Sequence, residues 1–335
     1  MTADRPKAPG KNHREGISLR ELFKLFPDDE TARKWFERMR WGDAPWCPHC
    51  GSYKVKNCTH HSMPYRCGEK DCRKRFSVRI GTPMQDTKLG YQVWAIAIYL
   101  LTTSLKGQSS MKLHRDLDVT QTTAWFLAHR IRETFNARTS STTPDMSGPV
   151  EVDEAYFGGL RKNMSNSKRK ELAEQGAGRG PDGKTAVVGI KDRDTNTVRV
   201  NVVDDTQRDT LVGFIDDNID PDATIYTDEA TVYEGLSNHG AVKHSVKEYV
   251  NGQIHINGME SFWSTLKRAH KGTFHKMSPK HLNRYVQEFA GRHNVREEDT
   301  LTQMALVVQG FEGKRLTFDQ LKMPNGRSSS ARPLM

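Results

Sequence analysis

Three carboxylates could do chemistry together, and two of them stand in strands, where a carboxylate is out of place. Asp153 lies inside the strand-like run VEVDEAY, Asp228 ends the apolar run of ATIYTD, and Glu260 opens the helix-like run NGMESFWSTLKR. An acidic residue inside a β-strand is disfavoured unless it has a task. Side chains alternate along a strand, so Asp153 shares a face with Glu151 and Ala155, and Val152 and Glu154 face the other way. Asp228 falls at a strand's C-terminal end, where ligand groups gather in α/β sheets. Two strands and a helix could bring the three together around two divalent cations about 3.5–4 Å apart, an arrangement suited to phosphoryl transfer. Mg2+ or Mn2+ fits, because carboxylates and phosphates are hard oxygen ligands. Lys267 lies seven residues after Glu260, two helical turns along the same face, where it could touch a phosphate. Glu151, Glu154 and Glu229 compete for these roles, and Asn257, one turn before Glu260, is a rival third corner. Taken singly, each acid is more simply a strand cap or a solvated side chain.

A second cluster is made of sulfur. All five cysteines fall between residues 47 and 72. Cys47 and Cys50 form CPHC, and Cys67 and Cys72 form CGEKDC, with sixteen residues between the pairs. Two short knuckles across a hairpin offer four soft ligands to one structural zinc ion. Cys58 is left as a free thiol, with His49, His60 and His61 as substitute ligands. Arg73, Lys74 and Arg75, together with Lys54, Lys56, Arg66 and Arg79, surround the knuckles. They form either a solvated basic face or a surface that contacts DNA phosphates.

The whole chain is basic, with 335 residues, net charge +10, pI near 9.3 and mean hydropathy −0.74. Residues 1–80 carry 18 Lys/Arg against 10 Asp/Glu, so most of the excess lies in the first quarter. That balance favours a nucleic-acid partner. No run of 18 apolar residues is present, and the polar N-terminus lacks the apolar core of a signal peptide. A cytoplasmic, nucleoid-associated protein with reduced thiols and no membrane partner is expected.

The elements that would position these groups fall into blocks. Residues 18–40 read as one or two helices capped by Ser18 and the Asp28–Asp29 pair. YQVWAIAIYLLTTS is an apolar helix, and residues 109–135 read as helix, turn, helix. There Leu113, Leu117, Val119, Ala124, Leu127 and Ile131 would pack, Thr120 would cap, and Gln121, Thr122, Thr123 and Arg130 would face outward. Beyond a linker at 138–149 come strands at PVEVDEAYFGG, KTAVVGIKDR, TVRVNVVDD, ATIYTDEA and HSVKEYV, with a loop at 160–183 and a helix at QRDTLVGFIDDNI. Asn257 to about Asn294 reads as helical. The expected organisation is α+β and multidomain. Residues 1–17 are disordered, 18–82 form a helical cap and zinc ribbon, and 83–140 form a helix-turn-helix-like region. An α/β domain spans 148–300, and a tail spans 301–335.

Several runs together resemble the bacterial insertion-sequence transposases of the DDE type that carry an N-terminal zinc ribbon (ISXO-like). They are RWGDAPWCPHCGS, YRCGEKDCRKRFSVRIGTPM, TTAWFLAHRIRE, VEVDEAYFGG, YTDEATVYEGL and the stretch from His255 to Asn294. The resemblance covers roughly residues 18–300. It implies an RNase H-like catalytic domain that cuts and joins double-stranded DNA at terminal inverted repeats. It assigns Asp153, Asp228 and Glu260 as metal ligands with Lys267 beside them, and Cys47, Cys50, Cys67 and Cys72 as zinc ligands. Such enzymes use either Asn or Glu at the third corner, so Asn257 and Glu260 both stand. Arg268, Lys271, Lys280 and Arg284, with His270, Lys276 and His281, would grip transposon ends and target DNA, and a dimer or larger assembly is expected there. The alternatives are a DNA-binding regulator with a dead site, or a nuclease that cuts without joining.

Overall fold

A computed structural model of the chain describes residues 14–136, 144–159, 163–174, 183–228, 231–242 and 255–323. They fall into two compact units, one from residues 1–137 with 295–335, the other from residues 138–294.

In the first unit, α1 (Leu19–Leu25) starts at Ser18, whose hydroxyl accepts from Glu21 N while the Glu21 carboxylate accepts from Ser18 N. This reciprocal cap satisfies two amides that the first helical turn leaves unpaired. Asp28 caps α2 (Asp29–Trp41) through Thr31 N. β1 (Val55–Asn57), β2 (Tyr65–Cys67) and β3 (Arg75–Phe76) then form a small antiparallel sheet in that order. α3 (Tyr91–Thr103) is apolar nearly all round because α2, α4, α5 and α10 all pack on it. α4 (Ser110–Leu117) and α5 (Gln121–Arg132) are joined by a turn in which Asp118 is left-handed and Thr120 caps α5. One core joins cap, ribbon and helices, with Leu22, Phe36, Phe76, Trp94, Leu113 and Leu127 fully or almost fully buried. Each such side chain stabilises by roughly 1.5–3 kcal/mol.

Three expectations are corrected here. Residues 301–335 are not simply a tail, because α10 (Thr300–Gln309) sends Met304, Val307 and Val308 into this same core, followed by Phe311 and the short α11 (Phe318–Lys322). Apolar residues at helical spacing are the physical reason. Residues 14–17 are ordered, since Ile17 packs on the core and its carbonyl accepts from Tyr99 Oη at 2.9 Å. Arg130 does not face outward. It is 7% exposed, lies 4.1 Å over the Phe126 ring and donates to Leu316 O.

The second unit is a five-stranded mixed sheet. β4 (Val150–Phe157), β5 (Thr185–Asp192), β6 (Val198–Val203), β7 (Ile225–Asp228) and β8 (His239–Val242) lie in the order β6-β5-β4-β7-β8. β4, β5 and β6 pair antiparallel, whereas β7 and β8 run parallel to β4. α7 (Arg208–Asp216) packs on one face over Val150, Val152, Val188 and Ile190. α8 (Asn257–Ala269) and α9 (Pro279–Asn294) cover the other face over Ala155, Phe157, Val187, Val198 and Val200. α9 also lies along the outer strand. Asn294 donates to and accepts from Val198, Gln287 donates to Val200 O, and Asn283 accepts from Val202 N.

The expected loop at 160–183 contains α6 (Asn166–Glu174), built from the good helix formers Lys, Arg, Glu, Leu and Ala. The strand expected at HSVKEYV and the competitor Glu229 lie outside the described residues. Among the described residues no helix is long and apolar enough to cross a membrane.

Candidate active site and metal centre

β4 carries Asp153 at its middle. Its register with β7 pairs Val150 with Ile225 and Glu151 with Tyr226. Continued by two residues, that register sets Asp228 beside Asp153. In parallel neighbours, residues in register point to the same face. The alternation expected along β4 holds, because Val150 and Val152 join the α7 core whereas Ala155 and Phe157 join the α8 core.

The third contributor is α8. Met259, Phe262, Trp263, Leu266 and Ala269 form its buried face, at helical spacing. Glu260, Ser264 and Lys267 form an outward stripe that continues to Lys271, in a π-helical turn at His270–Phe274. Opposite Asp153 on β5 stands Gly189. A Cβ added there would meet Met259 Cε and come within 2.7 Å of the Trp263 ring, so glycine lets α8 press onto the sheet.

Asp153, Glu260, Trp263, Ser264, Lys267, Arg268 and Lys271 line a cavity of about 460 Å3. Burial pushes the Asp153 carboxyl up to about 7, although Glu154 N donates to it at 2.8 Å. The charges of Asp228 and Glu260 push the same way, and Lys267 pulls against them. Glu154, on the opposite face, rises to about 8 through burial and then the charges of Asp153 and Asp228. Crowded acids repel one another unless positive charge offsets them.

The rivals sit elsewhere. Asn257 is exposed at the first residue of α8, and neither it nor Asp228 is among the residues lining the cavity. Glu151 is buried, with Oε1 accepting from Arg193 and Oε2 from Met259 N. Its environment is one of helix capping. Nothing in the local sequence signals that contact, because Met259 lies 108 residues downstream.

In the first unit, the Sγ atoms of Cys47, Cys50, Cys67 and Cys72 all lie within 4.8 Å of one another. The Cys47–Cys72 pair is 3.8 Å apart and the Cys50–Cys67 pair 3.6 Å. A tetrahedral zinc with Zn–S bonds of about 2.3 Å requires sulfur separations of about 3.8 Å, so the donor set fits. In the first knuckle, Cys50 N and Gly51 N both donate to Cys47 O, and Gly51 takes a φ of +75°. The longer second knuckle uses its extra residues in a turn where Cys72 N and Arg73 N donate to Glu69 O. Cys58 is apart, donating to Met63 O, and His60 Nδ1 accepts from Met63 N.

The residues expected on DNA divide into two groups. Arg73, Lys74 and Arg75 are exposed on the ribbon, Gln121 and Thr122 on α5, and Arg268 and Lys271 beside the acidic cavity. Lys280 is half-buried on α9. Arg284, expected to grip DNA, is only 6% exposed on α9's inner face. Arg79 is committed to Thr87 O, Leu89 O and the Tyr91 ring.

Comparison with known proteins gives two family matches. Residues 145–294 match the ISXO2-like transposase domain, and residues 27–75 match the transposase zinc-ribbon domain. An uncharacterized protein in transposable element ISH50 of Halobacterium salinarum is 27% identical over 286 residues, covering 81% of this chain and 93% of that protein. An uncharacterized transposase-like protein of Haemophilus influenzae is 28% identical over 116 residues, covering 33% of this chain and 91% of that protein. The chain thus joins a match to a transposase zinc ribbon in its first unit with a match to an ISXO2-like transposase domain in its second.

Proposed function

We propose that this protein binds the terminal inverted repeats of an insertion sequence and catalyses metal-dependent cleavage and strand transfer of DNA. The observation that carries the reading is the closeness of Asp228, Glu260 and Lys267 to Asp153, whose carboxyl feels all three charges, with Asp153, Glu260 and Lys267 lining one open cavity. The mixed five-stranded sheet flanked by helices supports an RNase H-like reading of residues 148–300. The α4–turn–α5 pair, with Gln121 and Thr122 exposed, supports a helix-turn-helix in 83–140 beside the 18–82 ribbon.

Asp153, Asp228 and Glu260 would hold the two divalent cations, and the donor set suits them. It consists of hard oxygens, negative in excess, with Asp153 raised by burial and then by the charges of Asp228 and Glu260. When bound, the cations supply activation of the attacking oxygen and stabilisation of the leaving oxygen. The chain's own groups do the rest. Lys267 holds a non-bridging phosphate oxygen, and Arg268 and Lys271 bind the adjoining backbone. Trp263 and Leu266 fix the helix that carries them. Asn257 acts outside the carboxylate set. Lys280 and the ribbon cations Arg73, Lys74 and Arg75 contact phosphates, and two copies assemble on paired ends. The regulator alternative predicts a damaged acidic set, and all three acids are present and convergent.

The test is cleavage and strand transfer on the element's own ends with Mg2+ or Mn2+. Wild type is compared with Asp153→Ala, Glu260→Gln and Asn257→Ala. Loss in the first two with activity kept in the third supports the assignment. End binding without cutting under any divalent ion would return the regulator reading, and cutting without joining the nuclease.

A further inference from the structure

The group that sets where α8 begins is not on α8. Its N-cap residue, Ile256, provides no side-chain hydrogen bond. The first amides of a helix need acceptors. Met259 N finds one 2.9 Å away in Glu151 Oε2, on β4. Glu151 is 2% exposed, and a buried carboxylate persists only when paired and hydrogen-bonded. Arg193 Nε donates to Oε1 at 2.9 Å, and His255 Nδ1 lies 3.3 Å from it. Arg193 also donates to His255 O and lies 4.3 Å over the ring of Tyr226, the register partner of Glu151 on β7. One carboxylate therefore connects β4, the turn after β5, β7 and the start of α8. A negative charge there also suits the helix's positive end.

The placement matters because both ends of the link abut the cavity. Glu151 and Asp153 are two residues apart on one face of β4, a rise of about 7 Å. Met259 is followed directly by Glu260. A slip of one residue in the cap would turn α8 by about 100° and carry Glu260 and Lys267 away from Asp153. Gly258 completes the fit, because a Cβ added there would lie 2.7 Å from Glu151 Oε2 and from Lys191 Nζ.

We propose that Glu151 is the positioning residue of this site: by capping α8 from β4 it fixes Glu260 and Lys267 over Asp153. The role rests on the carboxylate reading given above.

The experiment uses the full chain and Mn2+ as probe. Glu151→Gln keeps size and removes charge, and Gly258→Ala keeps the charge and crowds the cap. Hydrogen exchange at the first turn of α8, Mn2+ binding by electron paramagnetic resonance, and Mn2+-dependent cleavage are measured together. Both variants should exchange faster there and need about tenfold more Mn2+ for half-saturation, as when groups behind metal ligands are altered. A general loss of folded protein would lower the cleavage amplitude and leave the Mn2+ midpoint alone. If Glu151→Gln fails to fold, Gly258→Ala decides alone. A wild-type midpoint in the folded variants, with Asp153→Ala abolishing Mn2+ binding, overturns the positioning role and leaves the carboxylate site standing. A wild-type protein that takes no Mn2+ and never cuts overturns the carboxylate reading, and the positioning role with it.

Discussion

Replacing Gly189 with alanine would put a methyl group where α8 meets the sheet. The added carbon would lie 2.7 Å from the Trp263 ring, well inside van der Waals contact, and against Met259 Cε as well. Trp263 is 2% exposed and Met259 fully buried, so neither can swing into solvent. Overpacking of this kind costs about 1–3 kcal/mol. For a unit of this size that is a drop in Tm of roughly 2–12 °C. The helix relieves the clash by lifting from β5, and Glu260 and Lys267 lift with it. A displacement approaching 1 Å at reacting groups costs on the order of 10²-fold in rate. Calorimetry and single-turnover cleavage with Mg2+ would be run on Gly189→Ala and on Gly213→Ala. The control lies in α7, where an added Cβ meets nothing within 4 Å. The control should be neutral or slightly stabilised. A Gly189→Ala protein that loses Tm but cleaves at the wild-type rate would refute the claim that the α8–sheet distance governs the site.

Other outcomes are expected. Cys47→Ser should lose the bound zinc, read by atomic absorption, and weaken binding to duplex ends while the 145–294 domain stays folded. Lys271→Ala should weaken DNA binding for all sequences and reduce the slope of log K against log salt by about 1. Arg130→Ala should behave differently, with stability falling by roughly 0.5–3 kcal/mol in denaturant titrations and an unchanged salt slope. The Asp153 carboxyl is raised to about 7 from 3.8, so between those values the metal-free folded protein holds a proton that the unfolded chain has lost. Metal-free stability should therefore fall as pH rises through that window, and below pH 7 the divalent ion needed for half-maximal cleavage should rise. A pH-independent metal midpoint between pH 6 and 8 would contradict that coupling.

What could be read in the sequence was local. Cysteine spacing encodes the knuckles, Ser18, Asp28 and Thr120 announce helix starts, and the apolar pattern of Met259 to Ala269 puts Glu260 and Lys267 on one outer stripe. What could not be read depends on partners far along the chain. Arg130 and Arg284 look like DNA contacts by type, and only the packed helices bury them. α10 joins a core begun almost 280 residues earlier, at Leu22. Glu151 looks like a third strand acid until the start of α8 is seen to rest on it.

The amides that α9 lays along β6 have a consequence for assembly. β6 is one of the two outer strands of the sheet, and an open strand edge invites another chain to add to it. Here the outward N–H groups of Val198 and Val202 and the carbonyls of Val198 and Val200 are already taken by Asn294, Asn283 and Gln287. An incoming strand would find its hydrogen-bonding positions filled and the helix in its path. Another copy of the chain is thus barred from adding a strand at this edge, and any contact it makes here must be through side-chain surfaces.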